Sequence, residues 1–122
     1  MSIPSVILCV DDEPTGLLVR RLLLSIAGYD VLTAANRDAA LSTLGRNHVD
    51  LIITGHFLPD IAWAQVAAEM KRLKPEVPIV LLTGALELPL GSENADLVLP
   101  KGLDPSQFLA AIANLITKKP SS

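Results

Sequence analysis

The chain is poor in basic clusters, aromatic rings, cysteine and long apolar runs, and each shortage removes a class of function. Its 122 residues carry a net charge of −3, and no Lys/Arg grouping exceeds the pairs Arg20-Arg21 and Lys118-Lys119. The electrostatic footprint of a nucleic-acid binder is therefore missing, and no nucleic-acid partner is expected. One Trp, one Tyr and two Phe provide no series of rings on which bases could stack. The single cysteine, Cys9, lies in the apolar run Ile7-Leu8-Cys9-Val10 with nothing to bridge. It reads as a small buried hydrophobe in a reducing compartment rather than as part of a disulfide scaffold. No charge-free apolar stretch approaches the ~20 residues that span a bilayer, and the start lacks the features of a signal peptide. The expectation is a cytoplasmic protein with no membrane partner.

What remains is a hydrophobic fraction of 50%, enough for one buried core at this length. A single domain over 1–122 is expected, with its core at about 6–116 and a frayed tail over 117–122, leaving no room for an effector domain. Short apolar runs alternate with segments of helical period, the pattern of a parallel sheet covered by helices on both faces. The strands are read as Val6–Val10, Asp30–Ala34, Asp50–Thr54, Ile79–Thr83 and Leu97–Pro100.

The helices are expected over Pro14–Ala27, from the cap Asn36 to near Gly45, over Ile61–Lys74, and from the cap Asp104 to near Lys118. On the first, Leu18, Val19, Leu22, Leu23 and Ile26 form one apolar face, expected to meet the sheet. Leu17 and Leu24, flanked by Arg20 and Arg21, would then point outward as a candidate docking spot. Trp63 is read as packing against Val66 and Met70, with contact to a partner as the alternative. Pro89 and Gly91 interrupt the fourth crossover, so any helix there is expected to be short or displaced.

Five residues or turns follow directly on apolar runs: Asp11-Asp12 after Val10, Gly55 after Thr54, Thr83 after Leu82, and Lys101 after Pro100. In an open parallel sheet these positions share the carboxyl edge, where ligands bind. Taken alone, Asp11-Asp12-Glu13 is a solvated acidic turn that caps the following helix. In order, spacing and strand context, however, the set resembles the receiver domain of two-component response regulators, from about Val6 to Ile116.

The resemblance implies a flavodoxin-like (βα)5 three-layer sandwich with sheet order 2-1-3-4-5 and a shortened fourth helix. It implies a Mg²⁺ site with Asp12 as direct ligand, Asp11 as ligand through water and the backbone carbonyl of Phe57 as a third. Thr83 and Lys101 would line the phosphoryl pocket. Partners would be a histidine kinase, a phosphotransfer protein or a downstream effector.

The family's acceptor aspartate stands four residues before a proline, here Pro59, and that position is Gly55. Glycine has no carboxylate to attack a phosphohistidine or to hold a metal. Ala62-Trp63 replaces the family's Asp-Gly, Gly102 follows Lys101 in place of proline, and Val98 occupies a position where an aromatic switch residue is often found. The expected function is a stand-alone, non-enzymatic receiver that acts without phosphorylation as a protein-interaction module. Mg²⁺ would bind weakly, and a Lys101 to Asp12 contact would compensate the pocket. The alternatives are a phosphorylatable, Mg²⁺-dependent receiver with a substitute acceptor (Asp60, or less readily His56) or an engineered Gly55, and a small-molecule sensor using the vacated space.

Overall fold

Short runs rich in β-branched residues and leucine pair their backbone groups in a sheet and bury their apolar side chains when helices cover it on both sides. In the computed structural model, which describes residues 3–55, 60–84 and 92–118, they do so as β1 (Val6–Val10), β2 (Asp30–Ala34), β3 (Leu51–Gly55), β4 (Ile79–Thr83) and β5 (Leu97–Pro100). All pairings are parallel, and the order is β2-β1-β3-β4-β5, as expected from the sequence. The central strands β3 and β4 are buried at every position. The helices are α1 (Pro14–Ile26), α2 (Arg37–Arg46), α3 (Asp60–Leu73) and α4 (Pro105–Lys118). Five helices were expected; among the described residues the fourth crossover carries a single 3-10 turn, Ser92–Asn94, in place of one. Pro89 and Gly91, which argued for its shortening, lie outside the described residues.

Two apolar layers enclose the sheet. Leu8, Val10, Ile52 and Ile79 pack with Ala40, Leu44, Val66 and Met70 on one face. Ile7, Cys9, Ile53 and Val80 pack with Leu24, Phe108 and Ile112 on the other. Helix starts follow local chemistry: Asn36 accepts from the Ala39 amide at 2.8 Å, and Asp104 accepts from the Ser106 amide at 3.1 Å. Asp96 joins the 3-10 turn to the sheet by accepting from the Ile79 amide and from Lys71 Nζ, both at 2.8 Å.

The rotation of α1 differs from the sequence expectation. Leu24 is fully buried and Leu17 packs against the core, whereas Leu18, Val19 and Leu22 are about half exposed and Ile26 is 85% exposed. The helix is apolar around most of its circumference, so periodicity alone could not select a face. Arg20 turns inward to meet the Asp11 carboxylate, and Leu17 and Leu24 lie on the same inward side. Trp63 is also placed differently: it is wholly buried against Ala67 and Leu81, with Ala95 and Val98 alongside, rather than in the layer of Val66 and Met70.

The corrected rotation makes opposite demands on neighbouring leucines. Leu24→Ala should cost about 3 kcal/mol in urea unfolding followed by Trp63 fluorescence, while Leu22→Ser should stay within about 0.5 kcal/mol of wild type. The reverse order would restore the face expected from periodicity. Burial pushes the Cys9 thiol from 9.0 up to about 12, the Arg20 charge opposing the shift. The unfolded chain therefore ionises first, so the Cys9 contribution to stability is complete below pH 9.0 and is lost towards pH 12. At about pH 8 a disulfide reagent should leave native Cys9 untouched and modify it in urea.

Candidate functional site

The sheet register brings the expected residues to one edge. Val10 pairs with Thr54, so Asp11 emerges beside Gly55, and Gly55 pairs with Leu82, one residue before Thr83. Thr83 pairs with Pro100, and the Lys101 amide donates to the Thr83 carbonyl at 3.1 Å. Asp11, Gly55, Thr83 and Lys101 thus descend across four adjacent strands. Phe57 and His56 lie outside the described residues, and so does the side chain of Asp60, which opens α3.

The acidic turn divides into three environments. Glu13 turns back to cap α1, accepting from the amides of Thr15 at 3.2 Å and Gly16 at 2.5 Å, so the capping reading of this turn holds for that residue. Asp12 is exposed and makes no ion pair among the described residues. Asp11 is only 1% exposed. Its Oδ1 accepts from the Glu13 amide at 3.1 Å, and its Oδ2 lies 2.5 Å from Arg20 Nη2.

Glycine explains how this carboxylate fits. A Cβ at Gly55 would stand 2.8 Å from Asp11 Cγ and closer still to Oδ2. The carboxylate therefore occupies the space that any side chain at position 55 would need. Gly16 provides the second clearance, because a Cβ there would lie 3.0 Å from Glu13 Oε2 and 3.2 Å from Arg20 Nη1. Two missing side chains admit one buried ion pair.

Lys101 does not provide the compensating charge expected of it. Its side chain is exposed and makes no ion pair with Asp12 among the described residues; the pair that forms is Arg20 with Asp11. Arg20 is already inside and reaches a desolvated carboxylate, whereas a lysine and an aspartate in water gain little by meeting. Sequence reasoning missed Arg20 because it sits within an apolar helix. The available signal was Gly16 one turn earlier on the same face. Beyond the pair, a cavity of about 260 Å³ opens between α1 and the start of α4, with Arg20, Lys101 and Phe108 in its lining.

The donor set fits Mg²⁺ only weakly. A hard divalent cation seeks several oxygen ligands and can bridge protein to phosphoryl oxygens. Here Asp12 is open, Asp11 is engaged by Arg20, and no group of three or more His, Cys, Asp or Glu gathers among the described residues.

A parallel sheet in this order, with an acidic turn, a threonine and a lysine along its carboxyl edge, is the architecture of the chemotaxis-receiver-like class. The profile of the response regulator receiver domain matches residues 7–113, and the chain belongs to that family. It is 34% identical over 86 residues to the transcriptional regulatory protein GlrR of Escherichia coli K12, covering 70% of this chain and 19% of that protein. It is 33% identical over 119 residues to the probable transcriptional regulator ycf27 of Porphyridium aerugineum, covering 92% and 48%. The chain thus spans between a fifth and about half of the length of these relatives.

Among solved structures, a CheY-like receiver domain protein from Methanospirillum hungatei superposes with a TM-score of 0.87 at 25% identity, covering 96% of this chain and 97% of that one. The regulator TrrA of Thermotoga maritima, solved in complex with Mg²⁺-BeF, superposes with a TM-score of 0.81 at 30% identity, covering 91% and 98%. Receiver domains are two-component signalling modules that bind Mg²⁺ at this edge. No helix among the described residues is long and apolar enough to cross a membrane.

The close approach at Gly55 has a measurable cost. Gly55→Ala should destabilise the domain by about 1–3 kcal/mol, because the methyl group must displace a carboxylate held by Arg20. In an Asp11→Ala background the same substitution should cost at least about 1 kcal/mol less in urea unfolding. Equal costs in both backgrounds would mean that Asp11 does not fill that space.

Proposed function

We propose that this receiver domain acts as a phosphorylation-independent protein-interaction module of a two-component pathway in the cytoplasm, and that it is not an enzyme. The observation that carries the reading is the buried Asp11 carboxylate in the place of a side chain at Gly55. Phosphoryl transfer to a receiver needs a nucleophilic carboxylate at that strand end. Here the position has none, and the nearest carboxylate is held by a guanidinium. Asp11, Asp12, the Phe57 carbonyl, Thr83 and Lys101 are then the remnant of a phosphoryl and metal pocket. A ligand sensor using the vacated space has no support, because Asp11 takes that space.

A second feature fits a domain fixed in one state. The Trp63 ring has no exposed surface and packs in a cluster with Ala67 and Leu81, with Val98 alongside. The position on the last strand where receivers often carry a mobile aromatic is Val98, so that position has no ring to rotate. The partner is a histidine kinase, a phosphotransfer protein or a downstream effector, the relatives being transcriptional regulators. The surface offered to it is the exposed stripe of α1, Leu18, Val19, Leu22 and Ile26. This replaces the Leu17 and Leu24 spot, whose members face the core.

Intact-mass spectrometry after incubation with acetyl phosphate and Mg²⁺ tests the reading. The wild-type chain should gain no phosphoryl group, while a Gly55→Asp variant gains one and shows that reagent and scaffold are competent. A wild-type chain that gains the mass would overturn the proposal, and peptide mapping would then look first at Asp60.

A further inference from the structure

We propose that Arg20 is a tethered cation that competes with Mg²⁺ for Asp11 and so sets the metal insensitivity of this receiver. The inference rests on the receiver reading of the site and deepens it. A buried carboxylate must be compensated by a cation or by protonation, because an unpaired charge out of water is costly. Asp11 is buried, and its Oδ2 is met by the Arg20 guanidinium at 2.5 Å. The Arg20 side chain is itself 15% exposed, so the pair lies at the inner wall of the site rather than in free solvent.

A divalent cation drawing on both Asp11 and Asp12 would have to turn the Asp11 carboxylate away from Gly55 and break that pair. The glycine at 55 makes the competition one-sided. With a larger residue there, Asp11 could not lie back into the strand end, because the Cβ position overlaps its carboxylate. Gly55 gives Asp11 a resting place, and Gly16 gives Arg20 and Glu13 room to close over it. Arginine suits the task better than lysine, since its fixed charge and planar fork hold a carboxylate geometry that a flexible ammonium does not.

Removing Arg20 therefore should not simply weaken the domain; it should make the domain responsive to Mg²⁺. Thermal unfolding of the wild-type chain, Arg20→Gln, Arg20→Lys and Arg20→Gln/Asp12→Asn in about 10 mM Mg²⁺, against an ionic-strength-matched K⁺ control, reads this directly. Wild-type Tm should move by less than about 1 °C, Arg20→Gln should rise by about 3–6 °C, Arg20→Lys should fall between, and the double variant should lose the rise. If Arg20→Gln is unfolded without metal, recovery of its helical circular dichroism on adding Mg²⁺ is the same result, and failure to recover counts against the proposal. A wild-type chain stabilised as much as Arg20→Gln, or an Arg20→Gln variant that gains nothing, would overturn it.

Failure here is distinguishable from failure of the proposed function. Mg²⁺ stabilisation of the wild-type chain would remove the competition and leave the missing acceptor standing. Phosphoryl uptake by the wild-type chain would do the opposite.

Discussion

The buried pair between Asp11 and Arg20 is the constraint around which the rest of this site is arranged. A carboxylate at 1% exposure has no water to solvate it, and the pair works only if the guanidinium comes to it. That requirement rotates α1, turns Arg20 inward, draws Leu17 and Leu24 onto the sheet, and leaves Leu18, Val19, Leu22 and Ile26 outside. One electrostatic contact at the carboxyl edge thus goes together with the choice of which apolar face of α1 is exposed.

The architecture itself was legible because several independent signals agreed. Short apolar runs, segments of helical period, and the Asn36 and Asp104 caps all pointed to the same alternation of strand and helix. The observed strands fall within one residue of those expected. The alignment of Asp11, Gly55, Thr83 and Lys101 along one edge was legible too. It follows from strand ends in a parallel sheet and needs no side-chain detail.

Side-chain disposition was less readable. The phase of α1 failed because a helix that is apolar on most sides carries no phase information in hydropathy alone, and its Arg20 has a buried partner, Asp11, nine residues earlier. The neighbours of Trp63 were misjudged for a related reason. Spacing within α3 places Val66 and Met70 on its side, but the ring reaches instead to Leu81 and Val98, whose proximity comes from the sheet register. The choice of Lys101 as compensating cation followed the family resemblance. What decided otherwise was the burial of Asp11 beside Arg20 while Lys101 stays exposed, which is not written in a strand-end motif.

The absence of a side chain at position 55 has a structural consequence of its own. Without a Cβ at position 55 the strand end has a hollow, and a neighbouring carboxylate lies in it rather than a water-filled gap forming. A carboxylate in that hollow needs a cation, and a guanidinium from the adjacent helix is a permanent one. A receiver that depends on Mg²⁺ and phosphoryl for its charge balance can change state as they come and go. On the proposed reading, closing that balance with the domain's own arginine would remove the variable and leave the surface presented continuously. The glycine, the arginine and the inward aspartate therefore belong to one device, and changing any one of them alters what the other two can do.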